Sequence, residues 1–287
     1  MKTIKTTISF IFCLIIVSCT TESDLDSIII DNQTQNPSQN VLVKSEIISQ
    51  TNKLDYTYNT ENYLTTITGI DGNLNYTTEI LYNASDLITQ INYQESGPST
   101  YSDTYTFTYS PSGLLTGYTA NYEDVNLSYN GNIVNVTGTI EGDSNAFITL
   151  ELNDNNLVTK LIESDSFTVF EYYSNQNISS IKKYDNSNSL QSEIYIGYDD
   201  NYNPFFNQLN SIYLERFIEF FYQSNGVSYA GFSGYDFPYS TKNISSVAHS
   251  ENTTTNYTYT YNASDYPINV SQDTGSNTTA FQIEYYD

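Results

Sequence analysis

The 287-residue chain has no Trp, one Met, one His and two Cys, and only 9 Lys and Arg stand against 33 Asp and Glu. Each scarcity excludes something. A formal net charge of −24 repels phosphate backbones, so no nucleic-acid partner is expected. The same charge disfavours electrostatic binding to anionic lipid. Two cysteines cannot build a disulfide framework. A single His leaves little for His-based catalysis or a His-rich metal site. The one long apolar run, Ile8 to Val17, is ten residues. That is too short for a membrane-spanning helix and suits the apolar region of a secretory signal. What is abundant is Tyr, with 29 residues.

Ahead of the apolar run lie Lys2 and Lys5, and it ends in Ile16-Val17-Ser18-Cys19. This ending resembles the bacterial lipobox. The resemblance implies cleavage between Ser18 and Cys19 and a lipid thioether on the Cys19 sulfur. Two or more acyl chains anchor stably at about 0.8 kcal/mol per buried methylene. An ordinary signal peptide ending in a chance cysteine is the other reading. Cleavage would remove Cys13 and both lysines, leaving seven bases against 33 acids, a charge of −26. Thr20-Thr-Glu-Ser-Asp-Leu-Asp26 is similar to the surface-export signal of Bacteroidota lipoproteins, or else a plain solvated linker. Asp26-Ser27-Ile28 also fits the short O-glycosylation pattern of that phylum. Residues 31–40, rich in Asn, Gln, Thr and Ser, cannot bury enough apolar surface to order themselves. The expected organisation is a signal peptide over 1–18, a lipidated tether over 19–40 and one β domain over 41–287.

Beyond residue 42 the apolar pattern has period two, as in Tyr105-Thr-Phe-Thr-Tyr109 and Tyr257-Thr-Tyr-Thr-Tyr261. Alternating strand formers separated by Asn, Asp, Ser and Gly predict antiparallel hairpins. The hairpins repeat. Tyr58-Asn-Thr-Glu-Asn-Tyr-Leu, Tyr82-Asn-Ala-Ser-Asp-Leu-Ile and Tyr109-Ser-Pro-Ser-Gly-Leu-Leu are copies of one unit. Further copies start at Tyr129, Leu152, Tyr173 and Tyr261, and those from 58 to 173 are spaced by 24, 27, 20, 23 and 21 residues. Each unit is one hairpin that needs neighbours to bury its apolar face.

The Tyr-Asn/Asp-x-x-Gly-x-Leu pattern resembles the YD repeat of Rhs-type surface proteins. More closely, it resembles Bacteroidota lipoproteins of unknown function with a porin-like, YD-type β fold. Tyr198-Asp-Asp-Asn-Tyr-Asn-Pro-Phe205 and Ser240-Thr-Lys-Asn-Ile-Ser-Ser-Val247 match elements of those proteins. The resemblance implies an all-β antiparallel meander, curved or barrel-like, over nearly all of residues 50–287. The chain departs from the pattern at Asn62, Asp86, Asn156 and Asp265, where Gly is expected. Asn and Asp tolerate left-handed φ, so these turns should persist. The family carries no activity to transfer to any residue.

One stretch breaks the rhythm. Leu209, Ile212, Tyr213, Phe217, Phe220 and Phe221 have helical spacing. They predict an inserted helix near 205–223, started after Pro204, stopped near Asn225-Gly226 and plugging the end of the sheet.

Catalytic groups are sparse. His249 sits in Val-Ala-His-Ser-Glu without a Gly-x-Ser-x-Gly motif and reads as a turn or strand residue. Glu215, Glu219 and Asp236, in an aromatic-rich region, are where a glycosidase pair would be sought. Asp199-Asp200-Asn201 and Asn153-Asp154-Asn155-Asn156 carry hard oxygens for Ca²⁺ but lack EF-hand spacing and read as turns. No metal and no cofactor is expected. The Tyr excess reads as core packing with wet hydroxyls, or as rows that stack on sugars. A membrane-spanning barrel is disfavoured, because its outward positions would be Thr, Asn and Ser. The expectation is a non-enzymatic outer-membrane surface lipoprotein, held through Cys19, with a binding or structural role toward a glycan or another surface protein. The alternative is a glycan-binding or glycan-active protein of a polysaccharide-utilisation system.

Overall fold

The computed structural model describes residues 41–222, 235, 238–249 and 253–287. Ser18, Cys19, the 19–40 tether, Asp26-Ser27-Ile28, Asn225-Gly226 and Asp236 lie outside the described residues.

Eighteen strands follow one another as a meander. They are β1 (Val43–Ser49), β2 (Asn52–Tyr58), β3 (Leu64–Asp71), β4 (Leu74–Tyr82), β5 (Ile88–Ser96) and β6 (Tyr101–Tyr109). Then come β7 (Leu115–Ala120), β8 (Glu123–Asn130), β9 (Ile133–Ile140), β10 (Asp143–Leu152), β11 (Val158–Ile162) and β12 (Ser166–Tyr172). The last six are β13 (Ile178–Asp185), β14 (Leu190–Tyr202), β15 (Lys242–His249), β16 (Thr254–Tyr261), β17 (Pro267–Asp273) and β18 (Thr278–Tyr285). Every strand pairs antiparallel with its sequence neighbours. β18 returns to β1, with Glu46 opposite Ile283, and closes the barrel.

The two rims differ. One rim carries short connections between strands, such as Gly72, Tyr122 and Glu141. The other carries the longer repeat turns and both ends of the domain. In these long turns Asn83 Oδ1 accepts the amides of Ser85 and Leu87 at 2.8 and 3.1 Å. Asp86, three residues on, takes φ 60°. Asn59, Asn153 and Asn262 accept in the same way. Asn62, Asn156 and Asp265 are left-handed at 68°, 60° and 61°, as expected for the residues that replace Gly. Asn153–Asn156 is therefore a turn as expected. Asp199-Asp200-Asn201 is not, because it lies inside β14. There Asp199 accepts the Tyr261 hydroxyl and the Asn243 side-chain amide.

Polarity is sorted by wall. Val134, Val136, Ile148, Leu150 and Leu161 point inward and are fully buried. Outward partners are hydroxyls and amides, as in Asn92 opposite Thr104, Asn126 opposite Thr137 and Thr258 opposite Ser271. Large apolar side chains on the outside, such as Leu81 and Phe147, are interspersed among them.

Tyrosines near the long-turn ends of the even strands share one role. Tyr58, Tyr82, Tyr109 and Tyr129 donate their hydroxyls to the carbonyls of Val43, Leu64, Ile88 and Leu115 at 2.6–2.9 Å. Tyr172, Tyr198, Tyr259 and Tyr285 donate to Val158, Ile178, Ile244 and Pro267 at 2.6–3.0 Å. Each link ties an even strand to the odd strand before it. Only β10 lacks it, because Leu152 stands in the tyrosine's place. These hydroxyls are bonded rather than wet, which corrects the expectation. A carbonyl at a bulge has no ladder partner, and the phenol supplies one inside the wall.

The insertion between β14 and β15 fills the barrel from the long-turn rim. Its neck is held by Asn203, which donates to the Ser240 carbonyl at 2.9 Å, and by Asn177, which accepts the Thr241 amide at 2.8 Å. The helix is shorter than expected. A 3-10 turn, Asn210–Ile212, leads into α1 (Tyr213–Phe221), because Leu209 is left-handed at φ 60° and blocks an earlier start. The plug also satisfies the strand starts beneath the long turns. The amides of Leu64, Ile88 and Val158 donate to Gln208 Oε1, Ser211 Oγ and the Tyr213 hydroxyl at 3.1–3.2 Å.

Candidate binding site in the lumen at the short-turn rim

α1 runs down the lumen. Its start is fixed at the long-turn rim by Val158, and just beyond its end the Tyr222 hydroxyl donates to Asp143 Oδ2 at 3.2 Å near the short-turn rim. The helix is amphipathic inside the barrel. Phe217 and Phe221 pack edge-on against Phe170 of β12, with centroids 4.7 and 4.8 Å away. Glu215, Arg216 and Glu219 form the other face, as the 3.6-residue period requires. That face looks toward β6–β8, where the Arg216 guanidinium lies 5.9 Å from the Tyr105 ring centre. Arg216 keeps 26% of its side-chain exposure despite its depth, so it borders internal space.

The opposing wall is built by register. Tyr76 faces Glu95, Glu95 faces Tyr101, and Tyr93 faces Asp103 on the inner surfaces of β4, β5 and β6. The rings form a row: Tyr76 to Tyr93 is 6.1 Å and Tyr93 to Tyr101 is 6.2 Å between centroids. The back of the row is fixed by Gly69 on β3, since a Cβ there would collide with the Tyr76 ring. The Tyr93 hydroxyl donates to Glu95 at 2.5 Å and that of Tyr101 to Asp103 at 3.0 Å. Tyr101 is 41% exposed and stands at the rim.

The carboxylates begin at the same rim. Asp103 Oδ1 accepts the Asn121 amide at 3.0 Å, and Glu123 Oε1 accepts the Glu141 amide at 2.7 Å, so each also ties down a neighbouring short turn. Glu123 Oε2, Glu219 Oε1 and the Tyr118 hydroxyl are buried without a hydrogen-bond partner. Arg216 Nε donates to Glu215 Oε2 at 2.7 Å, and a second contact joins the same two side chains. Burial, reinforced by the Glu215 charge and opposed by Arg216, pushes the Glu219 carboxyl up to about 8. Burial raises Glu123 as well, against the hydrogen bond from the Glu141 amide. The Tyr118 phenol is pushed far up by burial and by the charges of Glu215, Glu219 and Glu123, against Arg216. Glu219 thus holds its proton near neutral pH.

Of the carboxylates sought in the sequence, Glu215 and Glu219 do meet in the lumen, joined by Glu123 on β8. His249 ends β15, where its amide donates to the Thr253 carbonyl at 2.9 Å. Among the described residues no three His, Cys, Asp or Glu side chains gather closely enough to hold a metal ion. No described helix is long and apolar enough to cross a membrane. Tyr76, Tyr93, Tyr101 and Asp103 were not singled out by the sequence. The available signal was the same-face spacing in Tyr93-x-Glu95 and Tyr101-x-Asp103-x-Tyr105.

No family model and no curated protein matches this chain. Among solved structures it is similar to a porin-like protein from Bacteroides uniformis, with 13% identity, a TM-score of 0.35, and coverage of 87% of this chain and 98% of that one. A porin-like protein from Bacteroides vulgatus matches with 10% identity, a TM-score of 0.41, and 86% and 99% coverage. The TcdB2-TccC3-Cdc42 structure matches with 11% identity and a TM-score of 0.29, covering 80% of this chain and 10% of that one.

Proposed function

We propose that this chain is a non-enzymatic, lipid-anchored protein of the outer-membrane surface, whose plugged barrel presents a binding site. The observation that carries this reading is the sorting of polarity between the two walls. A spanning barrel needs an apolar outer band and a polar interior. Here hydroxyls and amides predominate on the outside, with Leu81 and Phe147 among them, while aliphatic and aromatic side chains and α1 make up most of the inside and the inward carboxylates gather toward the short-turn rim. Such a barrel sits in water, and attachment to a membrane falls to the sequence ahead of β1, where Ser18-Cys19 has the lipobox pattern. β1 leaves from the long-turn rim, so the sequence ahead of it joins the barrel there.

Cys19→Ser should release the protein from membrane fractions and abolish incorporation of labelled fatty acid. A variant that still sediments with membranes and still takes up label sinks this reading. The wild-type protein should also raise no conductance in planar bilayers.

A second reading, a glycan-active enzyme, is favoured by one observation: Glu219 holds its proton near neutral pH while it neighbours Glu215. In a carboxylate pair, a member that keeps its proton can act as the acid. It requires release of reducing sugar that Glu219→Gln abolishes.

A further inference from the structure

We infer that the barrel wall parts sideways between β15 and β16 before the rest of the barrel unfolds, and that Tyr259 and Tyr261 are the latch holding that seam shut.

The seam is short. β15 meets β16 at Ser246–Asn256, Val247–Thr255 and Ala248–Thr254, and the His249 amide donates to the Thr253 carbonyl at the hairpin end. The other half of β15, from Lys242 to Ser245, has no ladder partner on β16 among the described residues. The flanking ladders run further. β16 meets β17 from Asn256–Asp273 to Tyr261–Pro267, and β14 meets β15 from Ile194–His249 to Tyr202–Lys242. Each strand of the seam is therefore held better by its other neighbour. The outward pairs at the seam, Ser246–Asn256 and Ala248–Thr254, are small side chains that bury little apolar surface. Local opening begins where ladder bonds and buried apolar contacts are few.

Side chains bridge the unladdered half. Between the pairs Tyr198–Ile244 and Tyr202–Lys242, three residues of β14, Asp199, Asp200 and Asn201, stand opposite the single Asn243. A bulge re-aims the side chains it carries. Asp199 reaches past β15, and its carboxylate accepts the Tyr261 hydroxyl of β16. Asn243 donates to the same carboxylate at 3.3 Å. Tyr259 crosses the gap directly and donates to the Ile244 carbonyl at 2.6 Å.

The β11–β12 ladder is as short, running from Lys160–Val169 to Ile162–Phe167. It is braced on both walls. Outside, Lys160 Nζ lies 4.5 Å from the Phe167 ring centre. Inside, α1 packs Phe217 and Phe221 on Phe170, and the Tyr213 hydroxyl takes the Val158 amide. β15 instead continues the return leg of the insertion, since Ser240 and Thr241 lead straight into Lys242. Parting β15 from β16 lets that leg move with β14 and β15 while the ladders from β1 to β14 stay closed.

The test is amide hydrogen exchange, resolved by segment, on the detergent-solubilised full-length protein under native conditions. β15 and β16 should be protected at least about tenfold less than β4 and β5, which are laddered from Asn75–Ser96 to Tyr82–Ile88. The segments β11 and β12 should follow β4 and β5. Tyr259→Phe and Tyr261→Phe remove bonds that the open seam has already lost. Each should speed exchange of β15 and β16 by about tenfold, the effect of one lost buried hydrogen bond. Tyr82→Phe removes a bond that the open seam keeps, so it should speed β4 and β5 and leave β15 and β16 unchanged. Tyr261→Phe keeps the latch testable if Tyr259→Phe fails to fold, because its partner is a side chain rather than the strand backbone. Equal protection of β15–β16 and β4–β5 overturns the inference, as does β11–β12 opening first. So does exchange at β15 and β16 that ignores both latch variants or that responds equally to Tyr82→Phe.

Discussion

Tyr82 donates its hydroxyl to the carbonyl of Leu64 at 2.8 Å. The amide of the same Leu64 turns to Gln208 of the plug at 3.2 Å. One residue at a strand start is thus held from both sides, by the repeat and by the insertion.

Tyr82→Phe removes the donor and leaves that carbonyl unpaired inside the wall. Stability should fall by about 1–3 kcal/mol, read from the denaturant midpoint. Tyr122→Phe, at a residue 65% exposed, should change it little.

Phe217 is fully buried between Phe170, Tyr213 and Phe221. Phe217→Ala should cost about 3–5 kcal/mol, because the closed barrel leaves little freedom to collapse onto the void. An equilibrium unfolding curve with an unchanged midpoint would show that α1 does not support the barrel.

Glu219 titrates upward, to about 8 from an ordinary 4.5. Between those values the folded chain keeps a proton that the unfolded chain releases. This contribution to stability is therefore full below pH 4.5, declines as pH rises toward 8, and is gone above it. The slope from this one proton is at most about 1.4 kcal/mol per pH unit. Glu219→Gln should flatten that decline in thermal melts taken from pH 5 to pH 9.

Gly138 has φ 132°, and a Cβ there would run into the carbonyl oxygen of Asp124 on β8. Gly138→Ala should lower the melting temperature by several degrees, on the order of 1–3 kcal/mol of strain. Gly131→Ala is the comparison: its φ is 59° and the space around it is open, so the cost should be near 1 kcal/mol.

What was legible in the sequence was local. The long turns could be read because one side chain, such as Asn83, and one left-handed residue, such as Asp86, define them within four positions. The strand order followed from hairpins that pair in succession. Closure was not legible, since it depends on β1 meeting β18 across almost the whole chain. The fate of the tyrosine hydroxyls was missed for a related reason: each acceptor is a carbonyl freed by a bulge, and hydrophobic periodicity does not reveal bulges. Leu209 shortened the helix through a backbone state that an apolar residue seldom adopts. Glu215 and Glu219 were found because they are one helical turn apart. Tyr93 and Asp103 were not, because they meet only through the register of β5 on β6.

Closure also governs how this protein can be approached. Among the described strands, a sheet that ends where it began leaves no edge, hence no row of free amides and carbonyls for another chain to extend. Strand addition, a backbone route to peptide capture and also to fibrous self-assembly, has no starting point on the described strands. Partners must meet side chains instead, so specificity rests wholly on residues that substitution can vary without disturbing the ladder beneath them.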